Sequence, residues 1–312
     1  MAEFPAVESL RGGHRESVHP FSAVVVEEGR VVRRFGDEVS TFWRSASKPF
    51  QLFNSLSALD AGVVAALRDD ELAVGAASHS GQVEHVALVE ALLSKFSLSS
   101  SELQCGAHAP AHEPSAKKVE TPSVLHNNCS GKHTFMLAAC AAQGWARDYR
   151  ALSHPLQLRN RALLESLGGE PLGVGVDGCS IPTFFAPLSA MARTWSALAS
   201  AVKRDDGLLA RIGRAMHTQP FFVSGTERLD LLVTQRASEP LAVKVGAEGL
   251  FCIARLTSGQ GLAVKVHTGN GDALAVAVKH VLAEVGVSLA GEWPWAAVKN
   301  VREVVVGERR VT

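Results

Sequence analysis

Apolar positions in this chain change period along its length, and the changes divide it into elements. Between Phe21 and Phe35, Ser22-Ala23-Val24-Val25-Val26, a Glu27-Glu28-Gly29 turn and Val31-Val32 predict a β-hairpin. Helical spacing follows Lys48 and recurs over Val83 to Phe96, Lys132 to Gln143, Pro155 to Leu167 and Leu188 to Val202. Strand patterns return over Leu241 to Val245, Leu250 to Leu256 and Leu262 to His267, the last two joined by Thr257-Ser258-Gly259-Gln260-Gly261. Asp272 to Val285 predicts one more helix. Strands at both ends with helices between them predict an α+β fold, an antiparallel sheet flanked by helices whose helical region, roughly 45–235, is inserted between the first and last strands. A single domain over 1–312 is expected.

Composition narrows the function classes. The chain has 312 residues, 46% of them hydrophobic, enough for a substantial core. Lys plus Arg and Asp plus Glu balance at 31 each, so no general positive field favours nucleic acid, and a small neutral or zwitterionic ligand is the expected partner. No run approaches the ~18 apolar residues of a membrane span, and Met1 to Pro5 lack a basic segment followed by an apolar core, so a cytoplasmic location without membrane association is expected. The five cysteines, Cys105, Cys129, Cys140, Cys179 and Cys252, are odd in number and do not form a secreted disulfide framework.

Chemistry concentrates in a few segments. Ser45-Ala46-Ser47-Lys48 opens a helix, and at one helical turn the Ser45 hydroxyl and Lys48 amine share a face, as a nucleophile and its base require. The ordinary reading of this short pattern is a helix cap with a solvated lysine, and Pro49 disfavours helical geometry at Lys48. Ala77-Ser78-His79-Ser80-Gly81 supplies further hydroxyls, though alone it reads as a turn. His126-Asn127-Asn128-Cys129-Ser130-Gly131-Lys132-His133 packs many reactive side chains before a helix, whose amino terminus can lower a thiol pKa. Its Gly131-Lys132 lacks the rest of a phosphate loop. Val174 to Pro182 predicts a strand ending at Asp177-Gly178, which exposes Cys179. The 50-residue interval between Cys129 and Cys179 fits no zinc-finger spacing, so buried inert thiols are the ordinary reading. On the late strand Gly261 to Gly269, Lys265 faces the same side as Ala263 and His267.

Taken in order, Arg11-Gly12-Gly13, Glu16 to His19, Arg44 to Gln51, Ala77 to Gly81, His126 to His133, Asp177 to Pro182 and the Lys265 strand resemble the Rhizobium-type L-asparaginase family, or asparaginase II. The resemblance implies hydrolysis of L-asparagine to L-aspartate and ammonia, a fold similar to serine β-lactamases, and a homodimer. It implies Ser45 as nucleophile, Lys48 as its base, Ser78 and Lys265 as a second pair, and zinc held by Cys129, Lys132 and Cys179. No organic cofactor is expected. Arg44, His133, Asp177 and Ser80 are candidates for binding substrate, with Ser78 against Ser80 left open as the second serine. A glutaminase or other serine amidase, and a non-catalytic protein that binds zinc or an amino acid, are the alternatives. A β-lactamase is disfavoured by the absence of Lys-Thr-Gly on the late strand.

Overall fold

The computed structural model describes residues 4–169 and 172–312. Its main sheet is antiparallel and, among the described residues, eight-stranded. It comprises β1 (Ala6–Arg11), β2 (His14–Glu27), β3 (Arg30–Phe35), β7 (Leu241–Gly246), β8 (Leu250–Arg255), β9 (Gly261–Val266), β10 (Ala297–Lys299) and β11 (Val305–Val311). A second sheet joins β4 (Ser40–Phe42), β5 (Gly173–Val176) and β6 (Pro182–Pro187) in the order β4-β6-β5. The predicted hairpin is the second half of β2 paired with β3, and β2 is longer than its apolar run because its polar first half pairs with β1. The chain's first and last strands meet: Val7 lies opposite Val311 in an antiparallel pair.

Strand alternation divides the main sheet into two faces. Phe21, Ala23, Val25, Val243, Phe251, Ile253, Leu262, Val264 and Val266 pack with the helix Gly271–Glu284, which Asn270 caps by accepting the Ala273 amide at 2.8 Å. Val24, Val26, Ala242, Leu250, Cys252, Ala254 and Ala263 face the inserted helices, chiefly Leu188–Arg204. Contact there is close enough to need glycine: a Cβ on Gly261 would lie 2.1 Å from the Ser196 amide nitrogen. On this helical face Lys244 of β7 lies opposite Cys252, and Cys252 opposite Ala263.

Among the inserted helices, Asp69–Gly75 and Ser130–Gln143 approach through Gly131, whose Cβ would stand 2.3 Å from the Val74 carbonyl oxygen. That contact brings the start of the second helix beside the Ala77–Ser78 segment that follows the first. The expected small strand at Val174 to Val176 is β5, and its partners β4 and β6 extend it into a sheet that the apolar pattern did not predict.

Candidate active site

The small sheet sets the geometry of two candidate segments. After β4, the Trp43 amide donates to the Phe184 carbonyl at 2.8 Å and the Arg44 amide to Thr183 Oγ1 at 3.1 Å, both partners being on β6. Arg44 then takes φ +44°, a conformation that L residues rarely adopt, and Arg44–Ser47 forms a 3₁₀ turn ahead of the helix Lys48–Leu56. Pro49 sits in the first helical turn, where its missing amide hydrogen costs nothing. Beyond β5, the Asp177 amide donates to the Ile181 carbonyl at 2.8 Å and Ser180 takes φ +71°, a tight reversal that turns Asp177 and Cys179 towards Arg44.

These segments enclose a cavity of about 240 Å³ lined by Arg44, Ser45, His108, Asn127, Asn128, Cys129, Asp177, Gly178, Cys179 and Ala247. A larger and more apolar depression around Phe53, Leu163 and Leu208 carries only Ser57, Arg204 and Asp206 as polar lining and none of the Ser-Lys or thiol segments. Arg44 Nε donates to Asp177 Oδ1 at 2.6 Å. Burial alone would raise the Asp177 carboxyl, but Lys132 and the Arg44 bond more than offset it and hold the group below the usual carboxylate range.

Lys48 is buried and its Nζ donates to the Ala77 carbonyl at 2.6 Å, to Ser78 Oγ at 2.8 Å and to the Asn128 carbonyl at 3.5 Å. Two of those three partners are carbonyls that can only accept, so Ser78 is the hydroxyl with which Lys48 can exchange a proton. The hydrogen bond expected between Ser45 and Lys48 is not formed: Ser45 belongs to the 3₁₀ turn, and Lys48 reaches across to the Ala77–Ser78 segment instead. Ser80 donates to the Ser224 carbonyl at 2.7 Å and braces the loop. His133 is fully buried, pairs through Nδ1 with Tyr149 Oη at 2.7 Å and does not line the cavity; burial, then Lys132 and Lys48, lower its pKa well below that of free imidazole.

Cys129, Lys132 and Cys179 converge. Lys132 Nζ lies 3.0 Å from Cys179 Sγ, and all three side chains are buried. Donation from the Cys179 thiol, against the penalty of burial and with Lys48 and Lys132 nearby, holds Cys129 well below the ordinary thiol range and pushes Cys179 up. Burial disfavours a charged Lys132, yet Cys179, Cys129 and Asp177 together raise its pKa. Two sulfurs and an amine form a donor set that a thiophilic metal accepts once Lys132 loses its proton. Among the described residues no group of three His, Cys, Asp or Glu side chains is arranged for a metal.

The two late-strand lysines occupy different surroundings. Lys265 Nζ donates to the carbonyl of its neighbour Val266, and burial lowers its pKa against the pull of Glu248. No hydrogen bond joins it to Ser78 among the described residues. Lys244, which the sequence reading passed over, is wholly buried at 3.3 Å from Asp230 Oδ1. Its strand packs against the Arg44–Ser47 turn, and burial followed by the charge of Lys48 lowers its pKa to about 8. The signal for it was present, since Leu241 to Val245 and Leu262 to Val266 both read Leu-Ala-Val-Lys-Val.

An α+β fold that lines so small a cavity with a serine hydroxyl, an arginine–aspartate pair and two thiols has the room and the polar groups for a compact polar substrate. The family model described as L-asparaginase II matches residues 7–311, and the chain belongs to that family. It is accordingly an L-asparaginase, an amidohydrolase of L-asparagine. A search of curated proteins returned no match.

Proposed function

We propose that this protein hydrolyses L-asparagine through an ester formed on Ser45. The observation that carries the reading is the cavity onto which Ser45 and the Arg44–Asp177 pair open together. At about 240 Å³ it is smaller than the ~300–1,000 Å³ of drug-sized pockets and suits a free amino acid. Arg44 takes the substrate α-carboxylate and Asp177 the α-ammonium, which places the side-chain carboxamide towards Ser45. Ser45 Oγ attacks the carboxamide carbon and releases its proton to the Lys48–Ser78 pair. The same pair returns a proton to the departing nitrogen, and ammonia leaves. Water, deprotonated by the same groups, then cleaves the aspartyl ester. Lys244 serves as the second lysine behind this relay, in place of the Lys265 expected from sequence, because it is buried on the strand that packs against the Ser45 turn and lies within the electrostatic reach of Lys48. In this reading Ser80 and His133, which bond to the Ser224 carbonyl and to Tyr149 and do not line the cavity, support its walls.

Zinc fits the Cys129, Lys132 and Cys179 donor set, and when bound it would supply a fixed positive charge that organises the pocket. Self-association belongs to the same reading: Phe42 and Phe185 stack edge to face and leave apolar surface exposed on the small sheet, as an isologous homodimer contact would use. No helix among the described residues is long and apolar enough to cross a membrane, and a cytoplasmic location remains part of the proposal.

The test is ammonia release from L-asparagine, with L-glutamine in parallel, by the native protein and the Arg44→Gln variant. The expected result is preference for asparagine and a roughly 10-fold to 100-fold rise in KM for the variant, in line with the ~1.5–3 kcal/mol of a hydrogen bond to a charged group. An unchanged KM would remove Arg44 from the substrate site.

A further inference from the structure

We propose that Asp230 is a positioning residue of the active site, whose negative charge sets the pH at which Lys244 changes protonation state. The inference rests on the proposed role of Lys244 in turnover. Asp230 stands in the first turn of the helix Leu229–Arg236 and is 1% exposed. Its Oδ1 accepts the Val245 amide at 2.8 Å and lies 3.3 Å from Lys244 Nζ. Its Oδ2 is buried with no partner among the described residues.

An asparagine would accept from the Val245 amide equally well and would present fewer unpaired acceptors. What asparagine cannot supply is charge, and the neighbour in contact with that charge is Lys244. The titratable and charged groups on the other elements packed against the Lys244 strand include Lys48, Arg228, Arg44 of the 3₁₀ turn, His217, whose ring lies 3.2 Å from the Leu241 carbonyl, and the Cys252 thiol, none of them an anion. Lys48 approaches from the helix Lys48–Leu56 and Arg228 from the residue before the Asp230 helix. Across the strand pair, Cys252 keeps its proton because burial pushes the thiol up. Lys244 Nζ also donates to the Val245 carbonyl at 3.1 Å, but Asp230 is the anion that favours its charged form, against burial, Lys48 and Arg228. Without it a lysine with no exposure would lose its proton at much lower pH.

The experiment compares kcat/KM for L-asparagine and thermal midpoints across pH 6–10 for the native protein, Asp230→Asn and Arg228→Gln. Loss of the carboxylate lowers the Lys244 pKa, so the acid limb of the Asp230→Asn profile moves down by about one pH unit or more. Arg228→Gln removes a repelling cation and moves the limb up by a smaller amount. Lys244 is disfavoured as a cation in the folded state, more so in Asp230→Asn, so the stability gap between that variant and the native protein widens as pH falls below about 8. That readout holds even where turnover is lost, and it separates this inference from the assignment of the reaction. Limbs that stay in place in both variants, or a pH-independent stability gap, overturn the role and leave Asp230 a structural acceptor for Val245. Native protein that releases no ammonia while the gap still widens would overturn the proposed reaction and support the Asp230–Lys244 coupling. If Asp230→Asn does not fold, an unmoved limb in Arg228→Gln overturns the inference and an upward shift supports it.

Discussion

At the scale of single residues, two identical pentapeptides carry different chemistry. Lys244 and Lys265 each follow Leu-Ala-Val on a buried strand, and both face the inserted helices. They are two strands and one pleat repeat apart, roughly 12 Å at ordinary sheet spacings. Lys244 meets Asp230 and the neighbourhood of Lys48, whereas Lys265 meets its own strand and Glu248. Lys244→Met is expected to lower kcat by a factor of roughly 10²–10⁴, and Lys265→Met to leave it within a few-fold, as steady-state ammonia release will show. Burial lowers the Lys244 pKa to about 8, and with its neutral amine as the active form kcat/KM is expected to rise with pH and level off above about 8. Ser45, Lys48, Arg44, Asp177, Cys129, Lys132 and Cys179 were all legible as reactive residue types in suggestive order, because such groups are rarely placed together as filler. Which late-strand lysine lies within the electrostatic reach of Lys48, and which of Ser78 and Ser80 bonds to it, was not legible, because strand order and loop path decide it. The thiols give a separate test: Cys129→Ser is expected to reduce the zinc retained per chain after dialysis, measured by elemental analysis, because it removes the donor most readily ionised.

At the scale of elements, glycine contacts fix the site more than helix preference does. Gly131 lets the helix Ser130–Gln143 lie against Val74, and Lys132 follows it directly into the thiol cluster. Gly131→Ala is expected to cost about 1–3 kcal/mol through overpacking. Chemical denaturation should show a lower midpoint, and zinc retention should fall with it because Cys129 and Lys132 move together. The β2–β3 hairpin, the long central helices and the three late strands were legible because each buries a continuous or periodic apolar set. The strands β10 and β11 were not, since they lie at the edge of the sheet with mixed, partly exposed residues such as Glu308, Arg309 and Arg310, and neither was β1, which is largely buried but whose apolar run is broken by Glu8 and Ser9. The small sheet also escaped notice: β4 has only three residues, and its role is to hold Arg44 beside the Asp177 turn by bonds to β6.

At the scale of the whole molecule, the antiparallel sheet pairs the first and last strands and presents one face to the inserted helices, and the candidate cavity lies where the small sheet and the helix starts meet. This arrangement draws its groups from segments more than a hundred residues apart, including Arg44 and Asp177. It explains why order along the chain identified the family while the geometry had to be read from the fold. The exposed apolar surface around Phe42 and Phe185 is expected to be covered in a homodimer, and sedimentation velocity at micromolar concentration should show a single species of twice the chain mass. The most direct test of the account is ammonia release from L-asparagine by the native protein and by Ser45→Ala, with circular dichroism and thermal melting measured on both. The account predicts turnover by the native protein and a loss of roughly 10³-fold or more in a variant that melts at nearly the same temperature. Near-native turnover by a folded Ser45→Ala protein would contradict it.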